Sequence, residues 1–125
     1  MPNPPSYELR LAPTAAPTFK VEVARSLLAR TLGLMGRSTL ESGRGMYLPG
    51  TNSIHMLFMR FPIDCVFVGA PLPDGSRHVV GLRENLQPWR SVVWWARGAR
   101  GAVEVPAGSA RAAGIQVGQP IWLAS

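Results

Sequence analysis

A single cysteine, Cys65, stands in the whole chain, so no intramolecular disulfide can staple it and the fold must rest on a buried core. Lysine is nearly absent: of 13 basic residues only Lys20 is not arginine. No apolar run approaches the roughly 20 residues that a helix needs to span a bilayer. The longest candidate, Ser53 to Val68, is interrupted by His55, Arg60, Pro62 and Asp64. Charged residues are few, at 16% against 46% apolar, which excludes an intrinsically disordered chain. The two histidines and the cysteine show no His-x-x-x-His or Cys-x-x-Cys spacing, so neither a metal nor another cofactor is expected. The opening Met-Pro-Asn-Pro-Pro has no basic segment followed by an apolar one, so no secretory signal is expected there, and a single thiol favours a cytoplasmic location.

What is present fits one domain. The chain has 125 residues, and splitting it would leave two units of about 60 residues with marginal cores. Prolines at positions 2, 4, 5, 13 and 17 predict an extended arm over residues 1–17, with a single β-rich domain over 18–125. Phe19 to Val23 alternates apolar and polar residues and reads as the first strand. Leu28, Leu32 and Met35 then share one helix face, with Ser26 as N-cap and Gly36 as the stop. From Gly43 onward short apolar stretches predominate: Met46–Leu48, Ile54–Met59, Ile63–Val68, His78–Leu82, Ser91–Trp95, Gly101–Val105 and Pro120–Leu123. Turn signals separate them, Pro73-Asp74-Gly75 being the strongest because proline presets the turn and Asp and Gly tolerate positive φ. Ser109 to Ala113 with Gly114 reads as a single helical turn closed by glycine. The fold expected is mainly β, a compact antiparallel sandwich or small barrel with one short helix after the first strand.

Several blocks point to a known family. Ala29-Arg30-Thr31-Leu32-Gly33-Leu34-Met35-Gly36-Arg37 is followed by Gly45-Met46-Tyr47-Leu48-Pro49. Ser53-Ile54-His55 precedes Phe58-Met59-Arg60-Phe61-Pro62-Ile63-Asp64. Pro88-Trp89-Arg90, Val103-Glu104-Val105-Pro106-Ala107-Gly108 and Gly114-Ile115-Gln116-Val117-Gly118 complete the order. In these blocks, over roughly residues 20 to 123, the sequence resembles domain-of-unknown-function family 192. The resemblance implies a compact, mainly β domain with a short helix near its start. It implies no reaction, so no catalytic residue is carried over.

Ser53, His55, Asp64 and Glu104 are the residues a nucleophile–base–acid reading would use. If 54–59 and 63–68 formed a hairpin about Phe61, Asp64 would lie opposite Phe58. His55 would then be three residues, about 10 Å, away on the other face. Arg60-Phe61-Pro62 is poor turn chemistry, however, and the chain can instead bend into another sheet. Asp64 is read as a structural carboxylate, accepting N–H groups stranded by that bend with Arg60 as counter-charge, and Glu104 as a second structural polar residue. His55 sits among apolar residues where leucine would pack as well, which suggests a role beyond packing.

Trp89-Arg90 and Trp94-Trp95, with Arg97 and Arg100, form the stretch richest in aromatic and basic residues. Alternation places Trp94 and Trp95 on opposite sheet faces, so one of them is free to cover the sheet, stack on arginine or face a ligand. The net charge of +6 is spread without a run, so nucleic acid is not expected as a specific partner. The function expected is a binding module for an anionic small molecule or a protein segment, with His55, Arg60, Trp89 and Arg90 lining the site. Two alternatives come from other classes: a hydrolase-like enzyme using His55 with Asp64 or Glu104, and a weak, non-specific nucleic-acid binder.

Cys65, in an apolar strand with no adjacent cation, is expected to react with a thiol reagent far more slowly in the native protein than in denaturant. Equal rates of labelling would show an exposed strand or an activated thiol.

Overall fold

The computed structural model describes residues 6–24, 40–56, 59–88 and 93–124. Nine strands and one helical turn lie in these segments: β1 (Ser6–Arg10), β2 (Phe19–Val23), β3 (Arg44–Pro49), β4 (Ser53–His55), β5 (Ile63–Val68), β6 (Ser76–Leu86), β7 (Val93–Trp95), β8 (Gly101–Pro106), α1 (Ser109–Ala112) and β9 (Pro120–Ala124). Seven strands close a barrel in the order β1-β2-β3-β8-β5-β6-β9, while β4 and β7 pair as a separate two-stranded sheet. Among the described residues no helix is long and apolar enough to cross a membrane.

The architecture is the mainly β fold expected, resolved in favour of the barrel, with two details changed. The first is strand direction. β2 and β3 run parallel, with Val21 opposite Gly45 and Val23 opposite Tyr47, so the barrel is mixed rather than wholly antiparallel. A parallel neighbour requires a crossover, which residues 24–43 supply. The helix expected over Ser26–Gly36 falls in this crossover and lies outside the described residues. The helical turn that is described, α1, follows β8, at the place read from Ser109 to Ala113 with Gly114. The second detail is β1. Ser6–Arg10, expected within the proline arm, is extended but pairs with β2 on one edge and β9 on the other, and Leu9 is fully buried. The flanking prolines masked a Tyr7-Leu9-Leu11 alternation that buries one face.

Two hydrophobic cores share the barrel wall. Leu9, Phe19, Val21, Val66, Val68, Val103, Val105 and Ile121 fill the interior. Met46, Leu48, Cys65, Phe67 and Ala102 point outward from the same strands, under Ile54 of β4 and the half-buried Trp94 of β7. β5 is therefore buried at all six positions, which explains its unbroken apolar reading. Met59, Phe61 and Ile63, the apolar residues on either side of Arg60 and Pro62, belong to this second core. The stretch around Phe61 forms no hairpin: β4 pairs with β7, whereas β5 pairs with β6 and β8.

The Pro73-Asp74-Gly75 turn forms as its chemistry requires. Gly75 adopts φ 85°, and Asp74 Oδ1 accepts from the Ser76 hydroxyl at 2.6 Å and the Ser76 N–H at 2.9 Å. The Ser76 hydroxyl, followed by its N–H, holds the Asp74 carboxyl below its ordinary value. α1 ends in a Schellman arrangement: Gly114 has φ 77°, its N–H donates to Arg111 at 3.0 Å, and the Ile115 N–H donates to Ala110 at 2.9 Å.

Ala96, the residue after β7, packs directly over Gly81 of β6. A Cβ there would lie 2.5 Å from the Ala96 Cβ and 3.4 Å from Phe67 Cδ2. Gly81→Ala is expected to destabilise the protein by about 1–3 kcal/mol in urea denaturation, through overpacking. Combining it with Ala96→Gly should recover part of that loss. A loss that does not recover would place the strain elsewhere.

Candidate functional site

The Asp64 carboxyl accepts backbone N–H groups other than those its sequence context suggests. In the β5–β6 ladder Ile63 faces Leu86 while Cys65 faces Arg83, so Glu84 and Asn85 together oppose Asp64 alone. This bulge puts Asn85 in the left-handed region at φ 53° and takes its N–H out of the ladder. Asp64 Oδ1 accepts that N–H at 2.8 Å. Its Oδ2 accepts the Ala110 N–H in the first turn of α1 at 3.0 Å, where Gly108 provides no side-chain cap. The donors thus come from β6 and α1, not from the Phe61–Pro62 bend. Arg60 is exposed and forms no salt bridge among the described residues, so it is not the counter-charge of the fully buried Asp64.

Asp64 and His55 do not form a dyad. Asp64 lies on the barrel-interior side of β5 with both oxygens engaged by backbone donors. His55 belongs to the covering sheet, where Ser53 pairs with Trp95, Ile54 with Trp94 and His55 with Val93. Ile54 and Trp94 pack onto the barrel, so Ser53, His55, Val93 and Trp95 share the outer face. Glu104 faces outward from β8 between Met46 and Cys65, but it is completely buried beneath the second layer. Among the described residues no group of three His, Cys, Asp or Glu side chains is placed to hold a metal ion.

The concave feature on this side is a groove of about 410 Å³ where β7 meets β6, lined by Val80, Arg83, Val93, Trp94, Trp95, Ala96 and Arg97. Its construction follows from strand geometry. The Ala96 N–H bonds Asn52 across the small sheet, so the carbonyl of Trp95 turns to the open edge. Arg83 Nη2 donates to that carbonyl at 3.0 Å, and Nη1 donates to the Leu82 carbonyl at 3.2 Å. Arg83 thereby ties the cover to the barrel and covers an unpaired strand edge. Trp94 is anchored in the core, whereas Trp95 keeps 63% of its surface exposed and Val93 55%. Among the described residues the lining holds two arginines and no carboxylate.

Of the expected site residues, His55 sits half-buried on the outer face beside Val93, and Arg60 is exposed but does not line the groove. Trp89 and Arg90 lie outside the described residues. Arg83 was not singled out from sequence. Its position depends on the β6 bulge and on where Trp95 turns its carbonyl, and neither has a local sequence signal.

The profile of domain-of-unknown-function family 192, described as Uncharacterized ACR, matches residues 10–123. The chain belongs to that family. No curated protein matches it. A candidate transcription regulator from Sinorhizobium meliloti 1021 is similar in structure, at TM-score 0.75 and 22% identity, with 94% of this chain and 92% of that one covered. A protein of unknown function from Novosphingobium aromaticivorans DSM 12444 is similar at TM-score 0.70 and 24% identity, covering 93% of this chain and 82% of that one. These likenesses show that the family member described here shares its fold with both.

Asp64→Asn replaces one of two acceptors with a donor facing an N–H, so it should cost about 1–3 kcal/mol in thermal or urea unfolding. His55→Leu should cost clearly less. The reverse order would make His55 a core hydrogen-bonding residue.

Proposed function

We propose that this DUF192 protein is a binding module for an anionic small molecule, seated in the groove between β6 and β7. The observation that carries the reading is the lining itself: Arg83 and Arg97 with Val80, Val93 and two tryptophans, and, among the described residues, no carboxylate to neutralise them. The volume falls within the roughly 300–1,000 Å³ range of small-molecule sites, and an apolar wall with a few fixed polar groups is the usual composition. Arg83 supports the reading through its rigidity. Its hydrogen bonds to the Leu82 and Trp95 carbonyls hold the guanidinium in place and use two of its five N–H groups. A charge already held in position loses less rotamer entropy when an anion arrives.

Titration calorimetry with citrate, benzoate and phenyl phosphate tests this. At least one should bind, more weakly as salt rises, because exposed charges are screened beyond about 10 Å at 0.1 M. Arg97→Met, which disturbs no hydrogen bond among the described residues, should weaken that binding about tenfold, as the loss of one charge-assisted contact implies. Arg83→Met should weaken it at least as much. Absence of binding to all three, or affinities unchanged in both variants, sinks the proposal.

A further inference from the structure

Trp95 is the feature that an anion site alone leaves unexplained. With Val93 beside it on the same outer face, Trp95 keeps 63% of its surface exposed next to two arginines of the groove. Its backbone is fixed on three sides. Its carbonyl is held by Arg83 Nη2 at 3.0 Å, the preceding Trp94 is packed on the barrel core, and the following Ala96 is buried against Gly81. Ser53 lies directly across from it and is small, so the ring is not roofed from that strand. The result is an exposed indole on a held backbone, with Arg97 two residues on and Arg83 bonded to its carbonyl, all lining one groove. A flat ring stacks on such a platform whatever its edge pattern, while an anionic group attached to that ring reaches the guanidinium groups.

We propose that the groove takes a nucleotide unit, its base stacked on Trp95 and its phosphate held by Arg83 and Arg97; this deepens the anion-site reading above and rests on it. A free nucleotide and one unit of a single strand present the same chemistry here. Among the described residues the lining carries no Asn, Gln, Asp or Glu side chain to pair with a base edge, so the choice among bases is weak.

Calorimetry at 50 mM salt with AMP, adenosine, inorganic phosphate and octaadenylate tests the assignment. AMP should bind at least tenfold more tightly than adenosine or phosphate alone, because only AMP engages both the ring and the arginines. Trp95→Ala should weaken AMP about tenfold, in line with the loss of one base–aromatic stack. It should leave the circular dichroism and the melting transition unchanged. Octaadenylate binding that exceeds AMP and falls steeply between 50 and 200 mM salt identifies a strand as the source. Octaadenylate binding no tighter per nucleotide than AMP identifies the free nucleotide. If phosphate or phenyl phosphate binds as tightly as AMP, and Trp95→Ala changes nothing while Arg97→Met still weakens binding, the nucleotide assignment falls and the anion groove stands. If no probe binds in an arginine-dependent way, both fall.

Discussion

The carboxylate of Asp64 links the elements on which the rest of the molecule depends. β5 and β6 cannot pair in perfect register along their length, because the ladder slips by a residue opposite Asp64. The slip leaves the Asn85 N–H without a strand partner, and α1 begins without a side-chain cap. One buried anion answers both, at 2.8 and 3.0 Å. Both oxygens of the fully buried carboxyl group are thus satisfied by backbone donors, which is how it remains compatible with the fold. α1 brings Ala110 and the following Ile115 into the interior core, so the same carboxylate that steadies the bulge also secures the residues packed at that end of the barrel.

Burial of the barrel wall on two faces follows from the same arrangement. A closed barrel normally presents polar residues outward, yet β5 and the first five residues of β8 are buried throughout. The outer face is dry because β4 and β7 cover it, and they sit close because Gly81 leaves room for Ala96. A separate two-stranded sheet is marginal on its own. Its stability here comes from Ile54, Trp94 and Ala96 in the second core and from Arg83 capping the β7 edge. The groove is the seam this attachment leaves, so it is built by the fold and does not require a long loop.

Much of the fold was legible in the residues. Alternation at Phe19–Val23, the unbroken run Ile63–Val68 and the Pro-Asp-Gly turn each act locally, and each appears in the structure. Poor turn chemistry at Arg60-Phe61-Pro62 correctly left open a bend into a second sheet. β1 was obscured because its prolines lie outside the strand and say nothing about the residues between them. The parallel pairing of β2 with β3 is a property of the crossover, not of either strand. For the site, alternation was enough to separate Trp94 from Trp95, but Arg83 joins them through a bulge and a carbonyl direction that depend on tertiary pairing. The donors to Asp64 were misplaced for the same reason: they lie 21 and 46 residues away in sequence.

The charge balance gains meaning from these placements. A net charge of +6 from scattered arginines reads in sequence as a solvated surface. In the fold, some arginines are committed to structure. Arg77 lies 5.9 Å over the Tyr47 ring and donates to the Gly69 carbonyl, and Arg10 pairs with Glu8 and the Ala15 carbonyl. Arg111 pairs with Glu84. Arg83, like Arg77, donates to backbone carbonyls, which satisfy hydrogen bonds without compensating charge, and it forms no salt bridge among the described residues. Arginine suits that position better than lysine: its planar fork spans two carbonyls while keeping further N–H groups for an anion, which a compact ammonium cannot do in one fixed geometry. The residue that closes the strand edge therefore also leaves a positive charge at the base of the groove, beneath the exposed indole of Trp95.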